Sequence, residues 1–212
     1  TDKLFYLQDA ILNIEDYIVK VTKNDKIFLD KIQNLKNYFL AVGRLTKQKN
    51  YSYLISEFNN YLKVNKEAIL LIIGEGEERQ KLNELIKKNN ISNNIFILSK
   101  ITNAYPFMKN ARALILSSLW EEVGFVIVEA ALSNLFIISS DCPNGPKEFL
   151  ENGKAGYLFK NNKKNELTNK IIKFTKEEKN LKNFKLKAKK NSSNYTLFRH
   201  HLSLRKILSN EN

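Results

Sequence analysis

A glycine and two basic residues stand just after the first apolar run of the chain. Gly43 closes the run that begins at Tyr38, and Arg44 and Lys49 follow it. A glycine lets the backbone approach a ligand closely, a guanidinium binds phosphate with two parallel hydrogen bonds, and an ammonium adds a compact positive charge. These residue types at this spacing indicate a pyrophosphate site. The alternative interpretation of this segment, taken alone, is a solvated loop with three cations, of which Lys47 is the third.

Two carboxylates eight residues apart follow a later apolar run, residues 113–116. Glu121 is predicted to lie in a loop and Glu129 in the first turns of the next helix, among apolar neighbours. A carboxylate in such surroundings costs free energy unless hydrogen-bond donors satisfy it, and sugar or ribose hydroxyls are suitable donors. Gly124, near the start of that helix, offers backbone N–H groups to phosphate. A capped helix with two surface acids is the alternative.

Two further loops carry residues suited to turns. Gly74-Glu75-Gly76 follows the apolar run 68–73 and permits a tight turn into a helix, where acidic residues suit the helix dipole. Its spacing is not that of the Gly-x-Gly-x-x-Gly fingerprint, so a structural turn is favoured. The segment 141–148 contains two prolines and predicts a rigid turn ahead of a helix that carries Glu148.

These loops are separated by short apolar runs that alternate with segments of helical spacing. Runs that are apolar on both faces and alternate with helices predict a parallel sheet covered on both sides, which is a Rossmann-like, doubly wound α/β domain. Such a sheet binds its ligand beyond the carboxyl ends of its strands, where the residues above stand. The predicted strands are 38–43, 68–73, 95–98, 113–116, 136–140 and a weak 158–159, and the predicted helices are 51–64, 77–90, 106–110, 126–133, 166–190 and 197–208.

The chain divides into three predicted segments. Residues 1–37 form a lead-in with helical spacing of apolar residues, residues 38–190 form the Rossmann-like domain, and residues 191–212 form a C-terminal helix. A chain of 212 residues is long enough to bury a core without metal or disulfide staples. It begins without Met, which suggests processing or a piece of a longer protein.

The net charge of +13 calls for an anionic partner. Twelve of the lysines lie between Lys160 and Lys190, against three glutamates. A solvated basic face is the favoured interpretation, and docking on an anionic membrane is the second. Nucleic-acid binding is disfavoured because this helical stretch carries few aromatic or Arg side chains for base stacking or groove reading.

Other classes of site are excluded or disfavoured by composition. Cys142 is the only cysteine, which excludes an internal disulfide and a cysteine-rich zinc site. A Cys–His hydrolase is disfavoured because His200 and His201 are predicted in the last helix, far along the chain. The longest apolar runs are too short for a transmembrane helix, and no signal peptide is visible.

Four of these segments together resemble the retaining glycosyltransferases of family 4, which have the GT-B fold. They are Val42-Gly43-Arg44-Leu45 with Lys49, Gly74-Glu75-Gly76, the Glu-x7-Glu element from Glu121 to Glu129, and the turn at 141–148. The resemblance runs from about Phe39 to Phe159. It implies the C-terminal half of a GT-B enzyme, which holds the nucleotide-sugar donor, with the acceptor-binding N-terminal domain outside this chain.

The resemblance also implies roles for single residues. Arg44 and Lys49 would bind the donor diphosphate and stabilise the leaving group, and Glu121 would contact the transferred sugar. Glu129 would accept hydrogen bonds from the ribose hydroxyls. The remaining residues assigned to donor binding are Gly43, Gly74, Lys100, Ile101, Gly124 and Phe125, with the loop 99–101 near the base.

This sequence departs from the family pattern at two places. Glu122-Val123 precede Gly124-Phe125, where many members have glycine directly after the first Glu, which changes the amide that faces the sugar. Ser99 takes the place of a glycine often found after the third strand, which leaves the base contact open.

The activity that the resemblance implies is transfer of a sugar, with retention, from a UDP- or GDP-sugar to a glycan or lipid-linked acceptor. It implies no metal and no cofactor beyond the donor. Bacterial surface-polysaccharide or glycoprotein synthesis is the expected setting, in the cytoplasm, with peripheral contact at the inner face of the membrane. The alternatives are a non-catalytic nucleotide-sugar-binding module and a GT-B enzyme of other chemistry, such as an epimerase or phosphorylase.

Overall fold

A six-stranded, fully parallel β-sheet forms the centre of the protein. The computed structural model describes residues 7–23, 37–99 and 101–209. The strand order is β3-β2-β1-β4-β5-β6, and every pairing between neighbours is parallel. This order and the helices on both faces confirm the predicted doubly wound fold. The strands are β1 Tyr38–Val42, β2 Ile69–Ile73, β3 Ile95–Leu98, β4 Ala113–Leu116, β5 Phe136–Ser140 and β6 Tyr157–Phe159.

The helices follow the predicted order with one exception. Within the described residues they are α1 Ile14–Thr22, α2 Tyr51–Leu62, α3 Arg79–Lys88, α4 Tyr105–Asn110, α5 Phe125–Leu132, α6 Pro146–Phe149, α7 Glu166–Glu177, α8 Lys182–Ser192 and α9 Leu197–Ser209. The segment predicted as helical over 166–190 is helical, but it is divided into α7 and α8 by a 3₁₀ turn at Glu178–Asn180. Leu181 is buried directly after that turn, and Glu178 is ion-paired with Arg112 at the start of β4. Those contacts fasten the chain to the sheet at the point where the helix is broken.

Alternating side chains of the strands enter two separate cores. Phe39 and Ala41 of β1 pack on the face covered by α2, α3 and α7. Tyr38 and Leu40 pack on the opposite face, with α4, α5 and α8. Both faces of β1 are therefore buried, which explains why the strand is a continuous apolar run and not an alternating one.

The strand order reverses direction between β1 and β4. From β1 the chain first builds outward through β2 and β3 and then returns to place β4 on the other side of β1. At such a switch point the loops that follow the two strands diverge and leave a crevice at the carboxyl edge of the sheet. The loop after β1 carries Arg44, and the loop after β4 carries Glu121.

The described part of the segment before β1 contacts the domain through Leu12, which is buried in the core, and through the surface of helix α1. Helix α1 has no buried residue, and it packs on α4 through an edge-to-face contact between Tyr17 and Tyr105. Leu12 forms an isolated bridge with Thr196 ahead of α9. The apolar spacing at Ile27, Ile32 and Leu35, predicted as part of the lead-in, lies outside the described residues. Among the described helices, none is both long and apolar enough to cross a membrane.

Candidate functional site

A cavity lies in the crevice between the loops after β1 and β4. Its volume is about 790 Å³. Cations on one side face carboxylates on the other, and the open first turn of α5 forms the floor. The residues that line it are Val42, Gly43, Arg44, Gln48, Lys49, Trp120, Glu121, Glu122, Val123, Gly124, Phe125, Val126, Glu129 and Asn144. The structure therefore brings together most of the predicted site residues.

Gly74 lies behind this crevice and does not line it. A Cβ atom on Gly74 would lie 1.9 Å from the carbonyl oxygen of Gly43. The backbone of Leu45 donates to the Glu75 carbonyl at 2.8 Å, which joins the two loops. Gly74 thus allows the loop after β2 to support the loop after β1, and its predicted contact with a donor stays a prediction.

Arg44 is the exposed cation of the crevice. Among the described residues, its guanidinium has no ion-pair or hydrogen-bond partner, and its five N–H donors are open to a ligand. Gly43 precedes it, where a Cβ atom would come within 3.1 Å of the Tyr51 hydroxyl and 3.2 Å of Lys49 Cε. The missing side chain of Gly43 therefore leaves room for the Tyr51 hydroxyl and for the Lys49 side chain.

Lys49 has a different environment from Arg44. Its ammonium is ion-paired with Glu121 Oε1, and the two side chains are only 14% and 7% exposed. The Ser118 hydroxyl donates to the same carboxylate oxygen, and the Ser117 hydroxyl donates to the Lys49 carbonyl at 2.7 Å. Burial, together with the charge of Glu121, raises the pKa of the neighbouring Tyr51 hydroxyl. Lys49 and Glu121 therefore form a rigid, nearly buried pair at the back of the crevice.

The N-terminus of α5 opens into the same crevice. Gly124 caps this helix with φ of 74°, a left-handed conformation that glycine adopts without steric cost. The N–H groups of a first helical turn have no partner within the helix and carry a partial positive charge. Gly124 and Phe125 thus lie where their backbone amides face the crevice, and their contact with a donor stays a prediction.

Glu129 lies one turn further along α5, between the crevice and a second cavity of about 220 Å³. Burial raises the pKa of its carboxyl group, and the Lys20 ammonium and Tyr105 hydroxyl partly offset this rise. Ile101 lines the second cavity with Val42 and Ile73. The predicted base-contact residue Lys100 lies outside the described residues. The second cavity is apolar on the side where Ile101 stands and carries a carboxylate at its junction with the first.

Sequence reasoning missed several residues of the two cavities. Gln48 connects the two loops with two hydrogen bonds. Its side-chain amide donates to the Trp120 backbone carbonyl at 2.9 Å, and its backbone carbonyl accepts from the Leu119 backbone amide. Trp120 is half exposed at the rim. Lys20 and Tyr105 reach the second cavity from α1 and α4. Lys20 and Tyr105 lie in helices, so the strand-end rule could not find them. Gln48 and Trp120 lie in the strand-end loops beside Lys49 and Glu121, but their uncharged side chains gave no signal for a phosphate or sugar contact.

Comparison with known proteins gives a consistent family. The family model described as "Glycosyl transferases group 1" matches residues 23–191. An uncharacterized glycosyltransferase of Methanocaldococcus jannaschii is 37% identical over 137 residues, which cover 58% of this chain and 34% of the relative. The amylovoran biosynthesis glycosyltransferase AmsD of Erwinia amylovora is 32% identical over 169 residues, which cover 79% of this chain and 47% of the relative.

A solved structure has the same fold. The crystal structure of the Anabaena protein HepE in complex with UDP superimposes with a TM-score of 0.77 at 19% identity, covering 91% of this chain and 55% of HepE. This chain spans about a third to a half of the length of the curated relatives named above. With a family model that matches most of its residues, the chain belongs to the family of glycosyl transferases group 1.

Proposed function

We propose that this chain is the donor-binding, C-terminal domain of a retaining glycosyltransferase of family 4. The observation that carries the proposal is the crevice at the β1/β4 switch point. There a guanidinium without a partner in the described part of the chain, a lysine–glutamate pair and an open helix N-terminus surround one cavity large enough for a nucleotide sugar. A nucleoside diphosphate sugar requires this set of groups, because it carries two phosphates, a ribose and a sugar ring.

Each part of the donor has a matching group in the proposal. The diphosphate binds the Arg44 guanidinium and the amides of Gly124 and Phe125. The transferred sugar donates hydroxyl hydrogen bonds to Glu121, and the ribose does so to Glu129. The base enters the second cavity beside Ile101, whose lining is apolar on that side.

The proposed catalysis is electrostatic stabilisation of the leaving nucleotide. When the bond between the sugar and the diphosphate breaks, negative charge develops on the phosphate oxygens, and donors already fixed around them favour that state. Lys49 has three N–H donors, so it can hold Glu121 with one and reach the diphosphate with another. In this proposal Arg44 and Lys49 supply the positive charge without a metal ion.

UDP is the nucleotide proposed first, with GDP second. Support comes from HepE, which was crystallised with UDP. The acceptor is proposed to be a glycan or a lipid-linked glycan of surface-polysaccharide or glycoconjugate synthesis, as the name of AmsD indicates for that relative. A further domain of the enzyme would bind this acceptor. We place the enzyme in the cytoplasm, with peripheral contact to an anionic membrane through the basic stretch 160–190.

Calorimetric titration with UDP, GDP and ADP tests the donor proposal, each run with magnesium and with a chelator. Binding of UDP or GDP with equal affinity in both conditions is the expected result. Binding only with magnesium would contradict the metal-free part of the proposal. No binding of any nucleotide would contradict the donor domain itself. Co-sedimentation with anionic vesicles at low salt tests the membrane contact, and absence of binding would overturn it.

A non-catalytic nucleotide-sugar-binding module is the second candidate. The observation that favours it is the ion pair of Glu121 with Lys49, which already satisfies one carboxylate oxygen without a ligand. Slow hydrolysis of a bound nucleotide sugar would distinguish the two candidates. Hydrolysis that is lost in Arg44→Ala supports the transferase, and binding without any turnover in the full-length enzyme with acceptor supports the module.

A further inference from the structure

Helix α1 reaches the second cavity although it lies outside the Rossmann-like core. The side-chain amide of Asn103 donates to the carbonyl of Lys20 at 2.7 Å and to that of Lys23 at 3.3 Å. The rings of Tyr17 and Tyr105 meet edge to face, with centroids 5.0 Å apart. Since α1 buries none of its residues, these contacts beside the cavity are its main attachment within the described residues.

Two side chains beside this attachment act on Glu129. Lys20 lines the same cavity as Glu129 and is ion-paired with Asp16 at 2.6 Å, with both side chains about half exposed. The Lys20 ammonium lowers the pKa of Glu129, and the Tyr105 hydroxyl does so as a hydrogen-bond donor, against the larger effect of burial. Burial raises the pKa of Tyr105, and the negative charge of Glu129 adds to this. Tyr105 therefore keeps its proton at neutral pH and can donate it in a hydrogen bond to this carboxylate.

A carboxylate can satisfy these neighbours and a ligand together. Its two oxygens accept about four hydrogen bonds in total. A hydrogen bond from Tyr105 would use one of them, and two ribose hydroxyls would use two more. A donor on one side fixes the rotation of the carboxyl group, so its remaining lone pairs have a defined direction.

We propose that Lys20 and Tyr105 are positioning residues of the nucleotide site, which orient the Glu129 carboxylate toward the ribose and keep it available as an acceptor. Helix α1 is thereby part of the donor site. This inference rests on the proposed function, because it presupposes that a nucleotide ribose meets Glu129. Neither side chain needs to touch the nucleotide.

The quantity to measure is the ratio of the affinities for a nucleotide with and without its ribose 2′-hydroxyl. Calorimetry with UDP and 2′-deoxy-UDP, or with the guanosine pair if GDP is the ligand, gives the preference for the ribose hydroxyl. In the wild-type chain we expect UDP to bind at least about tenfold more tightly, as for a hydrogen bond to a charged group. In Tyr105→Phe and Lys20→Met the preference shrinks to about threefold or less. A structural effect would weaken both nucleotides equally and leave the preference unchanged.

Two control variants make similar changes to a lysine and a tyrosine that do not act on Glu129. Lys23→Met removes the same charge at the end of α1, but Lys23 is not among the groups that shift the pKa of Glu129. Tyr53→Phe removes a hydroxyl that donates to the Lys163 carbonyl, at another part of the molecule. Both controls are expected to keep the wild-type preference for UDP over 2′-deoxy-UDP.

A second readout needs no ligand. The pKa of Glu129, followed by carboxyl ¹³C NMR in the ligand-free chain, is expected to rise in Lys20→Met and in Tyr105→Phe and to stay constant in both controls. Lys20 of α1 and Tyr105 of α4 are the two side chains that lower the pKa of Glu129 against burial. Asp16 and Tyr17 of α1 act on Tyr105, and Arg44 and Glu121 line the crevice with Glu129.

The outcomes distinguish this inference from the proposed function. If the wild-type chain binds no nucleotide, the proposed function fails and this inference fails with it. If the chain binds UDP, but the ribose preference and the pKa of Glu129 are the same in all variants, only this inference is overturned. The inference is supported if the preference for UDP over 2′-deoxy-UDP shrinks and the pKa of Glu129 rises in Lys20→Met and Tyr105→Phe but not in the two controls.

Discussion

Lys49 and Glu121 form a nearly buried ion pair that joins the loop after β1 to the loop after β4. The two residues are 72 positions apart in the sequence, yet they meet because β1 and β4 are neighbours at the switch point of the sheet. The pair therefore closes the back of the crevice, while Arg44 remains at its open side. Arg44 and Lys49, which the family resemblance assigns to the same diphosphate, have different surroundings, and substitutions at them should have different effects.

Removal of the Lys49 charge is expected to destabilise the domain. Lys49→Met leaves the Glu121 carboxylate buried without a counter-charge, which typically costs about 3 kcal/mol of the free energy of unfolding. Arg44→Met is the matched control, because an exposed, unpaired side chain contributes about 0.5 kcal/mol or less. Urea denaturation of both variants measures the difference. Equal stabilities would show that the ion pair contributes nothing.

Arg44 is expected to act on binding and not on folding. Arg44→Ala removes the open guanidinium beside the proposed diphosphate and should weaken UDP binding by at least about tenfold, since hydrogen bonds to charged groups contribute about 1.5–3 kcal/mol. Uridine, which has no phosphate, should bind the variant and the wild-type chain equally. Calorimetry with both ligands checks this, and an equal loss for uridine would argue against a phosphate contact.

Glu129→Gln is expected to stabilise the folded chain while it weakens nucleotide binding. Burial raises the pKa of Glu129 above its unfolded value, so the folded state binds the proton more tightly and the ionised carboxylate is unfavourable at pH 7. The wild-type chain should gain stability as the pH falls from 7 through the folded pKa, until the ordinary carboxyl value of about 4.3 is reached.

Thermal unfolding at several pH values checks this. The variant should lack the Glu129 contribution to the pH dependence and be more stable than the wild type at pH 7. A less stable variant at that pH would mean that the ionised carboxylate is structural. Unchanged UDP affinity in the folded variant would remove Glu129 from the proposed site.

Gly74→Ala is expected to distort the crevice by displacing the loop after β1, which the loop after β2 supports. The new Cβ would lie 1.9 Å from the Gly43 carbonyl oxygen. Neither atom can move by rotation of a side chain, so the two loops must separate. We expect a loss of about 2 kcal/mol or more in stability, as for an overpacked position, and weaker UDP binding. In Gly153→Ala, the control, the Cβ meets open space and costs about 1 kcal/mol through its positive φ alone. Wild-type UDP affinity in Gly74→Ala would contradict the supporting role of this turn.

The sheet could be predicted from the sequence because both of its faces are buried. Each strand is a short apolar run, and the residue types directly after the runs marked the ligand edge, which placed Arg44, Glu121 and Glu129 correctly around one crevice. The break between α7 and α8 could not be predicted, since the contact at this turn, between Glu178 and Arg112, joins residues far apart in the sequence. The same limit applies to Lys20, because its neighbour Glu129 is more than a hundred residues away in the sequence and is brought near by tertiary packing.

The most direct test of the central claim is to map the nucleotide on the chain. Amide chemical shifts of the ¹⁵N-labelled protein, followed during a UDP titration, report each residue that meets the ligand, and the indole of the single tryptophan adds a probe at the rim. We predict saturable shifts that centre on Gly43, Gly124, Phe125, Ile101 and Trp120. Shifts confined to another surface, or none at saturating UDP, would contradict a donor site in the crevice between β1 and β4.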